Sequence, residues 1–210
     1  MTQQEGKEAS VQQVELLSNK QIRMLMLLDG MISQCTDCEL HTGGRVKPYW
    51  TPMSIFCALG EAPGKDEVDK NESFVGKAGE ILGTAMTKQG FRKEQFLVIN
   101  SVNCRPIVGG GVNGKPTFKQ VKTCHQWVRK YIKVVGPEKM IAFGNYARGS
   151  LNGSFDGIVR YNGWVDTISQ YQIYAVMSVH PAYCIYQKDS GIKLLEDSIA
   201  KFKAVRSYQY

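Results

Sequence analysis

The chain has 210 residues, 43% of them hydrophobic and 21% charged, a balance and length that suit one globular domain with a sizeable core. No apolar run approaches the ~20 residues needed to span a bilayer, and the opening MTQQEGKEAS lacks the apolar core of an export signal, so a membrane or exported protein is not expected and a cytoplasmic one is. The 26 Lys and Arg against 19 Asp and Glu leave a formal charge of +7, which suits a polyanionic partner such as DNA without by itself identifying one.

The first ten residues are polar and are expected to fray. Apolar residues at 14, 17, 24/25, 28 and 31/32 predict a helix from Val14 to Ile32. Residues 1–33 are therefore read as a tail and a helix packing on the domain, and residues 34–210 as a single α/β domain. Cys35 and Cys38 follow as a CxxC; without an export signal this reads as a metal or redox pair. His41 to Pro52 is a loop, with Gly43-Gly44 and two prolines. Ser54 to Leu59 is a short apolar strand that runs into Gly60-Glu61-Ala62-Pro63-Gly64. A helix over Ala78–Gln89, ended by Gly90, leads to a strand over Phe96–Ile99 that ends at Asn100. A long helix spans Phe118–Val135 and stops at Gly136-Pro137. Strands over Lys139–Phe143 and Ile173–Val179 end at Gly144 and at His180-Pro181, and residues 190–203 form a closing helix.

Short apolar strands alternating with helices predict a parallel sheet with helices on both faces. All strand C-terminal ends then lie on one edge of the sheet, where ligands bind. Glu61, Asn100, Gly144 and His180 all sit just past strand ends, so they are expected to converge on one cleft.

Gly60 to Asp66 is not a phosphate loop. Three residues separate its glycines instead of four, and Asp66 follows Lys65 where Ser or Thr is needed. It is either a tight strand-to-helix turn or a rigid loop that holds Glu61 at the cleft and presents backbone N–H groups. Phe74, before the glycines at 76 and 79, is either a core side chain or a flat face on which a base stacks. The Asn100 amide offers a donor and an acceptor that match a pyrimidine edge, or else it closes the strand in an Asx-turn. Arg105 either contacts phosphate or is solvated. His180, at a strand end before proline, is a candidate functional histidine; His41 and His125 are assigned no role. Cys104 and Cys124, nineteen residues apart, are a plausible completion of the Cys35/Cys38 pair, and four thiolates can hold zinc or an iron–sulfur cluster. Cys57 and Cys184 are read as buried thiols.

Taken in order, CTDCEL, LGEAPG, SFVGKAGEIL, INSVNCRP with the later Cys124, IAFGNYA and SVHPAY resemble the family-4 uracil-DNA glycosylases, the iron–sulfur branch of their superfamily. The resemblance spans residues 35–183. It implies a three-layer α/β/α fold around a central four-stranded parallel sheet, and a 4Fe-4S cluster on Cys35, Cys38, Cys104 and Cys124, with zinc the alternative occupant. It also implies a monomeric, monofunctional glycosylase that flips a base out of DNA. In that scheme the base sits against Gly60, Ala62 and Phe74 and Asn100 reads its edge, His180 stabilises the leaving base, and Glu61 places the attacking water or the scissile nucleotide. Ala62 stands where stronger water-activating relatives carry Asp. The segment after CRP, Ile107 to Pro116, is longer and richer in glycine than usual, and Cys184-Ile-Tyr-Gln187 replaces a Leu-Leu-Arg-like stretch. Gly64 stands where other uracil enzymes place a tyrosine that blocks C5 substituents. Two alternatives follow: excision of a modified base, such as a bulky modified cytosine of phage DNA in antiviral defence, or a non-catalytic iron–sulfur module that binds DNA.

Overall fold

The structure, a computed structural model, describes residues 16–208; the expected fraying of the first ten residues and the helix start at Val14 fall outside them. The first helix, α1 (Asn19–Ser33), opens on a reciprocal cap. Ser18 Oγ accepts from Gln21 N–H, and Gln21 Oε1 accepts from Ser18 N–H at 2.9 Å. It is followed by β1 (Phe56–Gly60), α2 (Lys65–Lys70), α3 (Gly76–Lys88) and β2 (Phe96–Asn100). A two-stranded hairpin, β3 (Ile107–Val108) and β4 (Val112–Asn113), precedes α4 (Phe118–Val135). The remaining elements are β5 (Lys139–Phe143), α5 (Gly144–Asn152), β6 (Val165–Ile168), β7 (Ile173–Ser178) and α6 (Pro181–Ala204).

The central sheet runs β2-β1-β5-β7-β6. Its first four strands are parallel, as expected. The fifth, β6, is added antiparallel at the edge, with Ile168 opposite Ile173. It escapes the apolar-run signal because only Ile168 of its four residues is fully buried. Strands β1, β2 and β5 are buried at every position, the pattern of strands covered on both faces. Alternate side chains feed two cores. Cys57, Leu59, Leu97, Ile99, Met140 and Ala142 face α1, α4 and α5. Phe56, Ala58, Phe96, Val98, Ile141 and Phe143 face α3 and α6. The result is three layers, with Leu25 and Ile32 of α1 in the same core as the sheet.

The closing helix begins earlier than expected, at Pro181, and is interrupted at Lys188 (φ 44°, ψ −124°). The chain leaves β1 toward β2 on one side and later returns to place β5 on the other. The C-terminal ends of β1 and β5 therefore flank the crevice where ligands collect in open α/β sheets.

Candidate active site

The expected convergence of strand ends is present. Gly60 pairs with Asn100 in register. Past the strands, Ser101 N–H donates to Gly60 O at 2.9 Å and Val102 N–H to Glu61 O at 3.1 Å, so the two loops leave the sheet side by side. A Cβ on Gly60 would lie 2.2 Å from Asn100 Oδ1 and 2.9 Å from Phe74 Cζ. Glycine is needed there because the Asn100 amide and the Phe74 ring close over the strand end. Phe74 packs edge-on against Phe143 at 5.8 Å and its ring centroid stands 6.5 Å from that of His180. Gly144 admits His180 in the same way: its Cβ would lie 3.2 Å from His180 Cβ. Asn100 is 4% exposed. Its amide makes no hydrogen bond with the described residues, and neither amide atom is fully sealed from solvent. An Asx-turn would occupy the side chain; here it remains available to a ligand.

His180 caps α6: its Nδ1 accepts from Ala182 N–H at 3.2 Å. That bond places the proton of the neutral ring on Nε2. Burial depresses the imidazole to about 4, so the ring is neutral near pH 7 and presents one N–H donor. Behind it, Asn162 accepts from Val179 N–H at 2.9 Å and donates to Leu194 O at 2.8 Å, which fixes the end of β7 against α6. Glu61 is partly buried; burial raises its carboxyl and the charge of Lys115 opposes that rise. Burial and the charge of Glu61 together raise the Tyr146 hydroxyl.

Ala62 packs against the cluster of Leu40, Val102, Cys104 and Val121. Cys104 of that cluster also lines a pocket with Cys35, Cys38 and Cys124. Segment 100–104 thus starts at one site and ends at the other. Burial raises the Cys104 thiol, and it raises Cys124 to about 12. Thiols in such surroundings ionise only when cations compensate them. Arg45 hydrogen-bonds Ser33 O and Cys35 O and lies beside Cys104. Asn103 Nδ2 donates to Cys124 Sγ at 3.6 Å. Among the described residues no three His, Cys, Asp or Glu side chains surround a point suited to one metal ion. Zinc needs four donors within ~2.3 Å of a single centre, whereas a multi-iron cluster is held by thiolates at separate corners. The four thiols that line one pocket are a donor set that either group can use.

Arg105 is neither solvated nor free for phosphate. It is 9% exposed, with Nε on Asn113 Oδ1 and Nη2 on Gly111 O, both at 2.6 Å, and it holds the hairpin. Cys57 and Cys184 are buried, as expected. A broad groove lined by Arg129, Lys133, Pro137 and Tyr171 lies by the N-terminal ends of β5 and β7 and contains none of the site side chains. Arg45, Glu67 and Asn162 lie outside the sequence motifs, and Asn103 and Tyr146 lie within INSVNCRP and IAFGNYA with no role assigned to them there. Their roles arise from partners distant in sequence.

A family model described as the uracil DNA glycosylase superfamily matches residues 49–204. The chain is 28% identical over 185 residues to the type-4 uracil-DNA glycosylase of Archaeoglobus fulgidus, covering 83% of this chain and 87% of that protein. It is 28% identical over 192 residues to the type-4 uracil-DNA glycosylase of Saccharolobus solfataricus, 87% of each. With that of Thermotoga maritima it shares 24% identity over 180 residues, 83% of this chain and 91% of the relative.

Proposed function

Because the chain belongs to the uracil-DNA glycosylase superfamily, we propose that its strand-end pocket hydrolyses the N-glycosidic bond of uracil in DNA, as a monofunctional glycosylase. The observation that carries this reading is the meeting of three groups at one crevice: an unpaired Asn100 amide, a neutral His180 with its proton on Nε2, and the Phe74 ring. A base flipped out of the stack lies on Phe74 and pairs its edge with the Asn100 amide. As the bond to C1′ breaks, the base departs as an anion and the sugar becomes oxocarbenium-like. His180 Nε2–H donates to the developing O2 anion, a preorganised contact of the kind whose loss costs about 10²–10³ in rate. Glu61 orients the water that attacks C1′ or holds the scissile nucleotide. With Ala62 in place of a carboxylate, leaving-group stabilisation carries the larger share. No lysine in the motifs stands as a nucleophile, which supports hydrolysis without lyase chemistry.

In this reading Cys35, Cys38, Cys104 and Cys124 hold a 4Fe-4S cluster. These cysteines would hold the cluster between the turn after α1, the loop after β2 and α4, where it would supply no chemistry to base release. The protein acts on DNA as a monomer in the cytoplasm, and its net charge of +7 favours the phosphate backbone. No helix of the described residues is long and apolar enough to cross a membrane. The modified-base alternative drew on the missing side chain at Gly64. Asn113 Nδ2 stands 3.2 Å from where a Cβ at Gly64 would lie, so that position is not open space, and the similarity to type-4 uracil-DNA glycosylases makes uracil the better-supported substrate.

The test is incubation with a uracil-containing oligonucleotide, then alkali. Strand breaks at uracil are expected from the wild type and are strongly reduced in Asn100→Ala and His180→Ala. No break with the wild type refutes the activity; wild-type rates in both variants, with DNA binding retained, place the chemistry elsewhere.

A further inference from the structure

We propose that Glu67 is a positioning residue for base excision, its carboxylate tying the Gly60–Gly64 loop to the Phe74 platform. The inference rests on the function proposed above and concerns a residue outside its chemical steps. Glu67 lies in the first turn of α2. One carboxylate oxygen accepts from Gly64 N–H at 2.7 Å, and the other accepts from Phe74 N–H. The two donors belong to the two loops that bracket the pocket, ten residues apart. No other hydrogen bond between described residues joins residues 60–64 to residues 73–75.

Phe74 needs such a hold. Its φ of 54° lies in the left-handed region that side chains avoid. Gly79 makes room behind it, since a Cβ there would lie 1.9 Å from Phe74 O. Room alone does not select the conformation; the bond to Glu67 does. The carboxylate is partly buried, and no cation bonds it directly. Lys93, whose charge acts on it, is engaged with Glu72 and with Ser73 O at 3.2 Å. The Gly64 bond alone would cap the start of α2 and no more. Both oxygens are instead spent on backbone donors of the pocket, and charge-assisted bonds of this kind are the short, directional ones. Burial raises the carboxyl above its ordinary range, Asp66 adds to the rise, and the two N–H donors and Lys93 oppose it. On the same helix Lys65 pairs with Asp69, and Lys70 stands in the last turn.

The test uses the full chain with Glu67→Gln and Glu67→Ala. In the wild type, the Gly64 and Phe74 amide resonances are expected to titrate together, with one midpoint above the ordinary carboxylate range. That shared titration is lost in both variants and kept in Asp66→Asn. Single-turnover base release per folded molecule is expected to fall by about 10- to 100-fold in Glu67→Ala, the scale of a ~1 Å misplacement. The fall is smaller in Glu67→Gln, which keeps one acceptor. Inhibition by free uracil weakens in parallel, whereas affinity for abasic product DNA, which has no base to stack, is unchanged. Amides that do not titrate together overturn the clamp. So do variants that release base at the wild-type rate per folded molecule, or a loss confined to melting temperature. A wild type that leaves uracil DNA intact refutes the activity, while the amide titration still decides the clamp.

Discussion

Gly60→Ala isolates the close packing on which the pocket depends. The substitution adds one methyl group at the end of β1, a position whose φ is not in the left-handed region, so the backbone itself tolerates alanine. The added Cβ falls 2.2 Å from Asn100 Oδ1 and 2.9 Å from Phe74 Cζ, where 3.4 Å is the start of ordinary contact. Asn100 must therefore retreat by about 1 Å and Phe74 by roughly half that. Overpacking of this kind costs about 1–3 kcal/mol, and a ~1 Å displacement of a group that reads the substrate costs about 100-fold in rate. At this chain length, each kcal/mol lowers the melting temperature by about 2–4 °C. The assay is single-turnover release of uracil from an oligonucleotide, read as alkali-labile breaks, at a temperature where melting curves show the variant folded. The expected result is a rate loss near two orders of magnitude with DNA affinity within a few-fold of wild type. A folded variant with the wild-type rate would refute the placement of Asn100 and Phe74 over Gly60.

Four further outcomes are expected. His180→Ala lowers single-turnover base release by about 10²–10³-fold with little change in DNA affinity; an unchanged rate would remove His180 from leaving-group stabilisation. The same histidine shapes acid stability. Its imidazole titrates near 4 in the fold against 6.5 when unperturbed, so between those values the unfolded chain binds a proton that the native state does not. Its contribution is complete above pH 6.5 and is lost as pH falls toward 4; melting temperatures over that window should decline more steeply in wild type than in His180→Asn. Phe74→Ala weakens inhibition by free uracil by about 10- to 100-fold, the scale of one base–aromatic stack, and equal inhibition of variant and wild type would return Phe74 to a core role. Cys104→Ser lowers the iron content and visible absorbance of the purified protein together with its melting temperature; zinc in place of iron in the wild type would count against the cluster.

Much of the architecture was readable residue by residue. The helix over Phe118–Val135 and the strand over Lys139–Phe143 have the bounds expected of them. Thr117 and Gln120 cap that helix at one end, and Gly136 ends it in the left-handed conformation at the other. Those signals act within one turn of the chain, so no tertiary partner is needed to read them. β6 was not readable because an exposed edge strand lacks the apolar run that marks its neighbours. Helix α2, at six residues with none buried, carries no periodicity to detect. Arg105 shows the opposite failure: a cation expected at phosphate or in water is instead enclosed by a hairpin that only the folded chain forms.

The site divides along the same line. Asn100 and His180 were visible because each follows an apolar run, and in a parallel sheet every such run ends on the same edge; Phe74 was visible as an aromatic before a glycine-rich helix start. The four cysteines were visible because thiols are few and their spacing can be counted. What the fold alone decided is the state of those groups. The tautomer of His180 depends on an N–H two residues on, and its neutrality on burial between β7 and α5. The free amide of Asn100 depends on which neighbours fail to reach it, and the backbone of Phe74 on a carboxylate seven residues away. Residue types and their order settle which groups arrive at the edge of the sheet. Protonation and orientation follow from desolvation and from contacts across the fold, and those exist only once the strands have taken their places.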